Sequence, residues 1–154
     1  MRGYAAIGLC CPKTAANVGG AVRAAGCYGA SLIAIHGARY YGKHKEDTQN
    51  AWKHIPVLHG DLLDLMPVGC EPVIVELHQR AKSLVEFTHP ERALYIFGPE
   101  DGSVYDSYIE RTARIVQVPT KYCMNLAATV NVVLYDRLAK QTLLATSSHT
   151  ASKP

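Results

Sequence analysis

Residues 5–36 read AAIGLCCPKTAANVGGAVRAAGCYGASLIAIH, and how this stretch divides decides the fold. AAIGLC (5–10) and SLIAIH (31–36) are short apolar runs bounded by Gly, Pro or polar residues, as strands buried on both faces are. Between them, residues 17–28 are small and apolar enough for a helix, with Asn17 placed to cap its start. Gly19 and Gly20 leave room for a backbone or a ligand to come close. Arg23 then falls about one and a half turns in, a polar group that an apolar helix does not need.

The same alternation continues outward. PVIVEL (72–77), ALYIF (93–97) and RIVQV (114–118) read as further strands, and 61–66, 104–111 and 123–141 as helices. That order predicts one α/β domain, a mostly parallel sheet flanked by helices. The last helix has the clearest period: Leu126, Val130, Val133, Leu134, Arg137 and Leu138 fall at three-to-four spacing, a face fit to dock on the sheet or on a second subunit. The tail from Thr146 to Pro154 is rich in Ser and Thr and is expected to fray, which leaves residues 1–145 as the domain.

Composition narrows the classes. With 48% apolar and 19% charged residues in 154, the chain is long enough for one core and too apolar to be disordered. A formal charge of +3 permits a polyanionic partner without demanding one. The five cysteines are odd in number and lack zinc-site spacing, as reduced thiols in a cytoplasmic protein do. The histidines make no ligand pattern either, so no metal is expected. AAIGLCC is too short for a signal segment, and no apolar run nears the ~18 residues of a membrane span.

No phosphate-binding GxxxxGK[ST] or GxGxxG is present, nor a GxSxG elbow. Interest moves to loops at strand ends, where α/β folds hold ligands. One is the opening Asn17–Arg23 group. A second is IFGPEDGSV (96–104), in which Gly98 leaves space over the backbone and Pro99 fixes a turn before Glu100. A third is VPTKYCMNLAATVNVVLYD (118–136), where a loop after Pro119 enters the long helix at Cys123-Met124-Asn125.

Asn-x-Gly-x-x-x-Arg, Phe-Gly-Pro-Glu and Pro-loop-x-Met-Asn-Leu occur in that order over most of the chain. Together they resemble the SpoU/TrmH family of the SPOUT superfamily, S-adenosylmethionine-dependent RNA ribose methyltransferases, across roughly residues 4 to 140. The size is similar to that of minimal, TrmL-like members. The resemblance implies a C-terminal deep trefoil knot and a cofactor held largely by backbone groups of three loops. Those loops map to Leu77, to Gly98, Pro99 and Glu100, and to Val118, Pro119, Cys123, Met124 and Asn125. It also implies a homodimer with the last helix at the interface, and transfer of a methyl group to a ribose 2′-hydroxyl, with S-adenosylhomocysteine as product. An RNA substrate follows, tRNA ahead of rRNA. Within that reading Arg23 is catalytic and RNA-binding, either as base or as a fork on ribose-phosphate oxygens; a guanidinium gives up its proton poorly, which favours the fork. Asn17 and Asn125 would orient the arginine and the loop, and Glu100 would hold Arg23 or a nearby backbone group.

Two positions depart from the family. Cys123 stands where a serine is common, and Ala127 where a second serine often is. A thiol is a weak hydrogen-bonding group, and Cys123 is expected as a packing thiol rather than a nucleophile. For RNA, residues 39–54 (RYYGKHKEDTQNAWKH) set Arg39, Lys43, Lys45 and Lys53 beside Tyr40, Tyr41 and Trp52, a mixture suited to phosphates and unstacked bases, diluted by Glu46 and Asp47. A non-catalytic RNA-binding protein on the same fold is the alternative, and an unrelated nucleotide-binding α/β enzyme a third.

Overall fold

The computed structural model describes residues 3–150, with side chains described through 147. Seven strands form one sheet: β1 Tyr4–Cys10, β2 Leu32–His36, β3 Val57–His59, β4 Glu71–Val75, β5 Lys82–Ser83, β6 Arg92–Phe97 and β7 Arg114–Gln117. Their order is β3-β2-β1-β6-β4-β7-β5, and every pairing is parallel. Three helices complete the fold: α1 Ala15–Tyr28, α2 Asp106–Glu110 and α3 Leu126–Thr150.

The apolar runs read as they do because both faces of the sheet are covered. Ile7, Leu9, Ile33, Ile35, Tyr95 and Phe97 bury against α1 and α3. Ala6, Cys10, Ile74, Leu94 and Ile96 bury on the other face, against Leu62, Tyr108 and Ile109. Each fully buried Ile or Leu stabilises the fold by roughly 1.5–3 kcal/mol.

Several expected boundaries shift, each for a local reason. Helix α1 starts at Ala15, and its N-cap is Thr14, whose hydroxyl accepts the Asn17 backbone N–H at 3.4 Å. Asn17 is therefore a first-turn residue, not the cap. Residues 61–66 are turns rather than a helix: the Asp61 carboxylate accepts the backbone N–H groups of Leu63 and Asp64 and the Tyr108 hydroxyl, a competing set of bonds that an Asp favours over helix. Strands β3 and β5, three and two residues long, carry no run long enough to read from sequence. Helix α3 begins at Leu126 instead of 123 and continues to Thr150, past 141. Residues 151–154 of the expected tail lie outside the described residues.

The apolar stripe of α3 is used within the chain. Leu126, Val130, Val133 and Leu134 are buried in the core shared with α1 and the sheet, which removes that stripe as a face for a second subunit. Arg137 belongs to the same stripe and is 5% exposed. Its guanidinium donates to the carbonyls of Pro90 (2.6 Å) and Glu91 (2.6 Å) and to the Tyr95 hydroxyl (3.1 Å), so the buried charge is hydrogen-bonded on several sides. Beside it, His89 bridges the Tyr95 hydroxyl and Asp136. Helices α1 and α3 meet closely at Gly20: a Cβ there would lie 2.7 Å from the Ala127 Cβ. Gly19 is likewise filled from within the chain, since a Cβ would lie 2.9 Å from the Glu46 carboxylate. Both glycines admit parts of this chain rather than a ligand.

Candidate active site

Because β4 lies between β6 and β7 and all three run parallel, their carboxyl ends open side by side on one edge of the sheet. A cleft of about 160 Å³ opens there. Its apolar floor comes from Val75, Phe97, Val118 and Leu126, and its rim from three loops. Leu77, Gly98, Pro99, Glu100, Val118, Cys123 and Met124, all expected at a cofactor site, line it. Pro119 and Asn125 are not in its lining; Thr120 and Leu126 take those places. Glu76, Gln117 and Thr129 also line the cleft and escaped the sequence reading. A charged residue directly after the apolar run of β4 is the signal that marks Glu76.

Beside the cleft, sharing only Glu100 with its lining, stands a wall of hydrogen bonds between residues far apart in sequence. Asn125 donates through Nδ2 to Asn17 Oδ1 at 2.7 Å, and Asn17 donates through Nδ2 to Glu100 Oε1 at 2.6 Å. Glu100 also accepts the backbone N–H of Lys13 (2.8 Å) and of Thr14 (3.2 Å) and the Thr14 hydroxyl (3.1 Å). Burial pushes the Glu100 carboxyl up, but the bonds from Asn17, Lys13 and Thr14 outweigh it and hold the group below its ordinary value. Asn125 has a second duty, since its Oδ1 accepts the Ala128 N–H at 3.2 Å and so caps α3. Asn17, Glu100 and Asn125 are thus brought together, and Glu100 holds the start of α1 rather than Arg23.

Arg23 stands apart. It lies six residues beyond Asn17, about 9 Å along the helix axis, and its side chain is exposed without a hydrogen bond or ion pair among the described residues. Because α1 starts two residues earlier than expected, Arg23 is more than two turns in. Its guanidinium faces solvent and is free to take an anion.

Of the proposed RNA contacts, Arg39 is the most occupied. It pairs with Asp101 (2.6 and 3.2 Å) and donates to the Cys11 carbonyl (3.0 and 3.1 Å), and this Arg39 bond is the main reason that the Asp101 carboxyl falls to about 2. Lys43 and Lys45 are exposed, and Tyr41 is 98% exposed. Asp47 does not dilute the surface charge: it is 4% exposed, and its carboxylate accepts the N–H groups of Ala51 and Trp52, fixing the 3₁₀ turn at Ala51–Lys53. A further aromatic lies on one of the loops that line the cleft, though outside the lining itself. Tyr122 is 76% exposed, with the Lys121 ammonium 5.5 Å from its ring centre, in the loop that gives Thr120 and Cys123 to the lining. Cys123 is exposed to the cleft, contrary to the packing role expected of it. Among the described residues no three His, Cys, Asp or Glu side chains gather as a metal site would require, and no helix is long and apolar enough to cross a membrane.

The family model described as the SpoU rRNA Methylase family matches residues 5–135. No curated protein sequence matches significantly. Among solved structures, the chain is similar to the SpoU methyltransferase AviRb from Streptomyces viridochromogenes in complex with AdoMet, with 15% identity, a TM-score of 0.79, and 92% of this chain and 59% of that one covered. The A. aeolicus TrmH/SpoU tRNA modifying enzyme superposes with a TM-score of 0.79 at 16% identity, over 94% of this chain and 78% of that one. A protein solved to give structural insights into the 2-OH methylation of C/U34 on tRNA reaches 21% identity and a TM-score of 0.75, over 92% and 93%. At these identities the likeness shows the fold, and the chain spans about three fifths of the length of AviRb.

Proposed function

The match over residues 5–135 places the chain in the SpoU rRNA Methylase family, and from that premise we propose that it is an S-adenosylmethionine-dependent RNA methyltransferase acting on a ribose 2′-hydroxyl, with tRNA as the favoured substrate. The observation that carries this reading is the wall Asn125–Asn17–Glu100, in which three distant motifs meet at the edge of the cleft. Similarity to a relative solved with AdoMet, and to two described with tRNA, supports the cofactor and the substrate class.

The cleft suits such a cofactor. Its apolar floor accepts a flat base, its rim is largely loop backbone, and Glu76 and Glu100 set negative charge beside it. Leu77, Gly98, Val118 and Met124 would hold it. When bound, S-adenosylmethionine supplies a methyl group already activated on a sulfonium. The protein's part is to position and to neutralise. The bonded wall fixes the loops that carry Glu100 and Asn125, so neither must reorganise during the reaction. Arg23, exposed and cationic, takes the ribose-phosphate as a fork and favours loss of the hydroxyl proton. Cys123 serves as lining: it is exposed at the cleft, and among the described residues no base is hydrogen-bonded to its thiol.

Two structural features accompany this reading. The trefoil knot of the family is proposed for the segment through β7 and the loop 118–125, which leads into α3 and back to α1. A homodimer would use the outward residues of α3, Tyr135, Leu143 and Leu144, which are 60–68% exposed, and not the stripe already buried.

Nucleoside mass spectrometry on tRNA and rRNA from a deletion strain tests the function. Loss of one 2′-O-methyl nucleoside, restored by the wild-type chain and not by Arg23→Ala, is expected. An unchanged modification profile would refute it. Binding of RNA and cofactor without any methyl transfer would select the non-catalytic RNA-binding alternative.

A further inference from the structure

We propose that Glu76 makes the cleft select by charge, so that it holds the sulfonium cofactor more tightly than the neutral thioether left after methyl transfer. The inference rests on the cofactor assigned above and concerns a residue that the motifs did not mark.

Glu76 follows directly on β4, and its backbone N–H bonds the Val116 carbonyl of the neighbouring strand at 3.0 Å. The side chain is as firmly set. Oε1 accepts the Leu77 N–H at 2.9 Å and Oε2 accepts the Val104 N–H at 3.1 Å. Oε2 also lies 3.1 Å from where a Cβ on Gly98 would stand, so the glycine is what lets the carboxylate lie across this loop. No cation pairs with Glu76 among the described residues. A carboxylate offers about four acceptor positions, of which two are used here.

The cleft's balance of charge is one-sided. Among the described residues its lining holds Glu76 and Glu100 and no Lys, Arg or His. Glu100 spends its capacity on Lys13, Thr14 and Asn17. Glu76 is therefore the fixed anion with lone pairs to spare. S-adenosylmethionine and S-adenosylhomocysteine are nearly the same shape but differ by one positive charge at sulfur. Coulomb's law at an effective dielectric of about 20 gives roughly a tenfold preference for the cation even at about 12 Å, before salt reduces it. Once the methyl group has left, its bonding electron pair stays on sulfur, the charge is gone, and the hold on the spent molecule loosens. Exchange of product for fresh cofactor follows from the protein's own electrostatics.

Titration calorimetry with S-adenosylmethionine and S-adenosylhomocysteine, on wild type and Glu76→Gln, tests this. The wild type is expected to prefer the sulfonium, and the preference to fall about fivefold in Glu76→Gln because the charged ligand alone weakens. Equal weakening of both ligands would assign Glu76 to a neutral part such as the ribose hydroxyls and overturn the proposal; so would an unchanged ratio. Glutamine keeps one acceptor for two N–H donors, so folding is checked by circular dichroism. A second measurement needs no variant: the wild-type preference should shrink between about 50 and 500 mM salt, on the order of the screening expected from the Debye length, and a constant preference would again overturn the proposal. Failure of the wild type to bind either ligand would instead refute the cofactor reading itself.

Discussion

The cleft wall and the loop 39–54 both expose polar groups, yet they are built in opposite ways. In the wall the side chains proposed to act are themselves bonded: Asn125, Asn17 and Glu100 each spend their amide or carboxylate atoms on one another or on the starts of α1 and α3. In the loop the framework is bonded and the contact groups are left out. Asp47 turns inward to hold Ala51 and Trp52, Glu46 packs on Gly19, and Lys43, Lys45 and Tyr41 face solvent. A site of bond-making needs fixed geometry, so its polar atoms are satisfied in advance. A surface that meets a flexible polyanion needs charge at the right place more than at a fixed angle.

The sharpest way to break the wall is Asn17→Asp. It sets a second carboxylate within hydrogen-bond distance of Glu100 and removes the donor between them. Methyl transfer is expected to fall about 10³-fold, and stability by about 1–3 kcal/mol, the cost of an interrupted polar network. Assays at saturating cofactor beside denaturant melts check both. Arg23→Ala should lower transfer about 10²-fold while stability in the same melts moves by no more than about 0.5 kcal/mol, because the guanidinium bonds to no other group among the described residues. If Arg23→Ala melts as Asn17→Asp does, the separation of Arg23 from the wall is wrong.

Smaller effects belong to the loop. Asp47→Ala strips the acceptors from two N–H groups and should cost about 1–2 kcal/mol, seen as a lower urea midpoint at unchanged slope, with turnover per folded molecule largely kept. The Lys43→Ala, Lys45→Ala double variant should be the mildest. RNA affinity drops severalfold and the salt slope of binding falls by roughly 0.7–0.9 for each phosphate no longer neutralised, while calorimetric affinity for the cofactor stays as in wild type. A change in cofactor affinity would tie the loop to the cleft and blur the contrast.

Much of this was legible in the sequence because its signals are local. Five of the seven strands announce themselves as apolar runs, and the motifs around Asn17, Glu100 and Asn125 name the wall before it is seen. What the sequence hid depends on distant partners. Asn17 looks like a cap, yet an acceptor 83 residues away, Glu100, claims its side chain and leaves the capping to Thr14. Asp47 looks like surface charge because nothing near it advertises the turn it supports. Residues 61–66 look helical until Tyr108, from beyond β6, donates to Asp61. Cys123 reads as a packing thiol because thiols usually are, whereas its loop leaves it exposed in the lining of the cleft.

The meeting of Gly20 and Ala127 works as a caliper. Asn17 lies about one turn before the glycine, and Asn125 two residues before the alanine. The separation of the helix axes at this single point therefore sets the span that the 2.7 Å bond between the asparagines must bridge. A larger group at either small position would open the jaws and pull the two amides out of reach without touching either one. Positions 20 and 127 should consequently tolerate change only together, as a pair whose combined bulk is held constant.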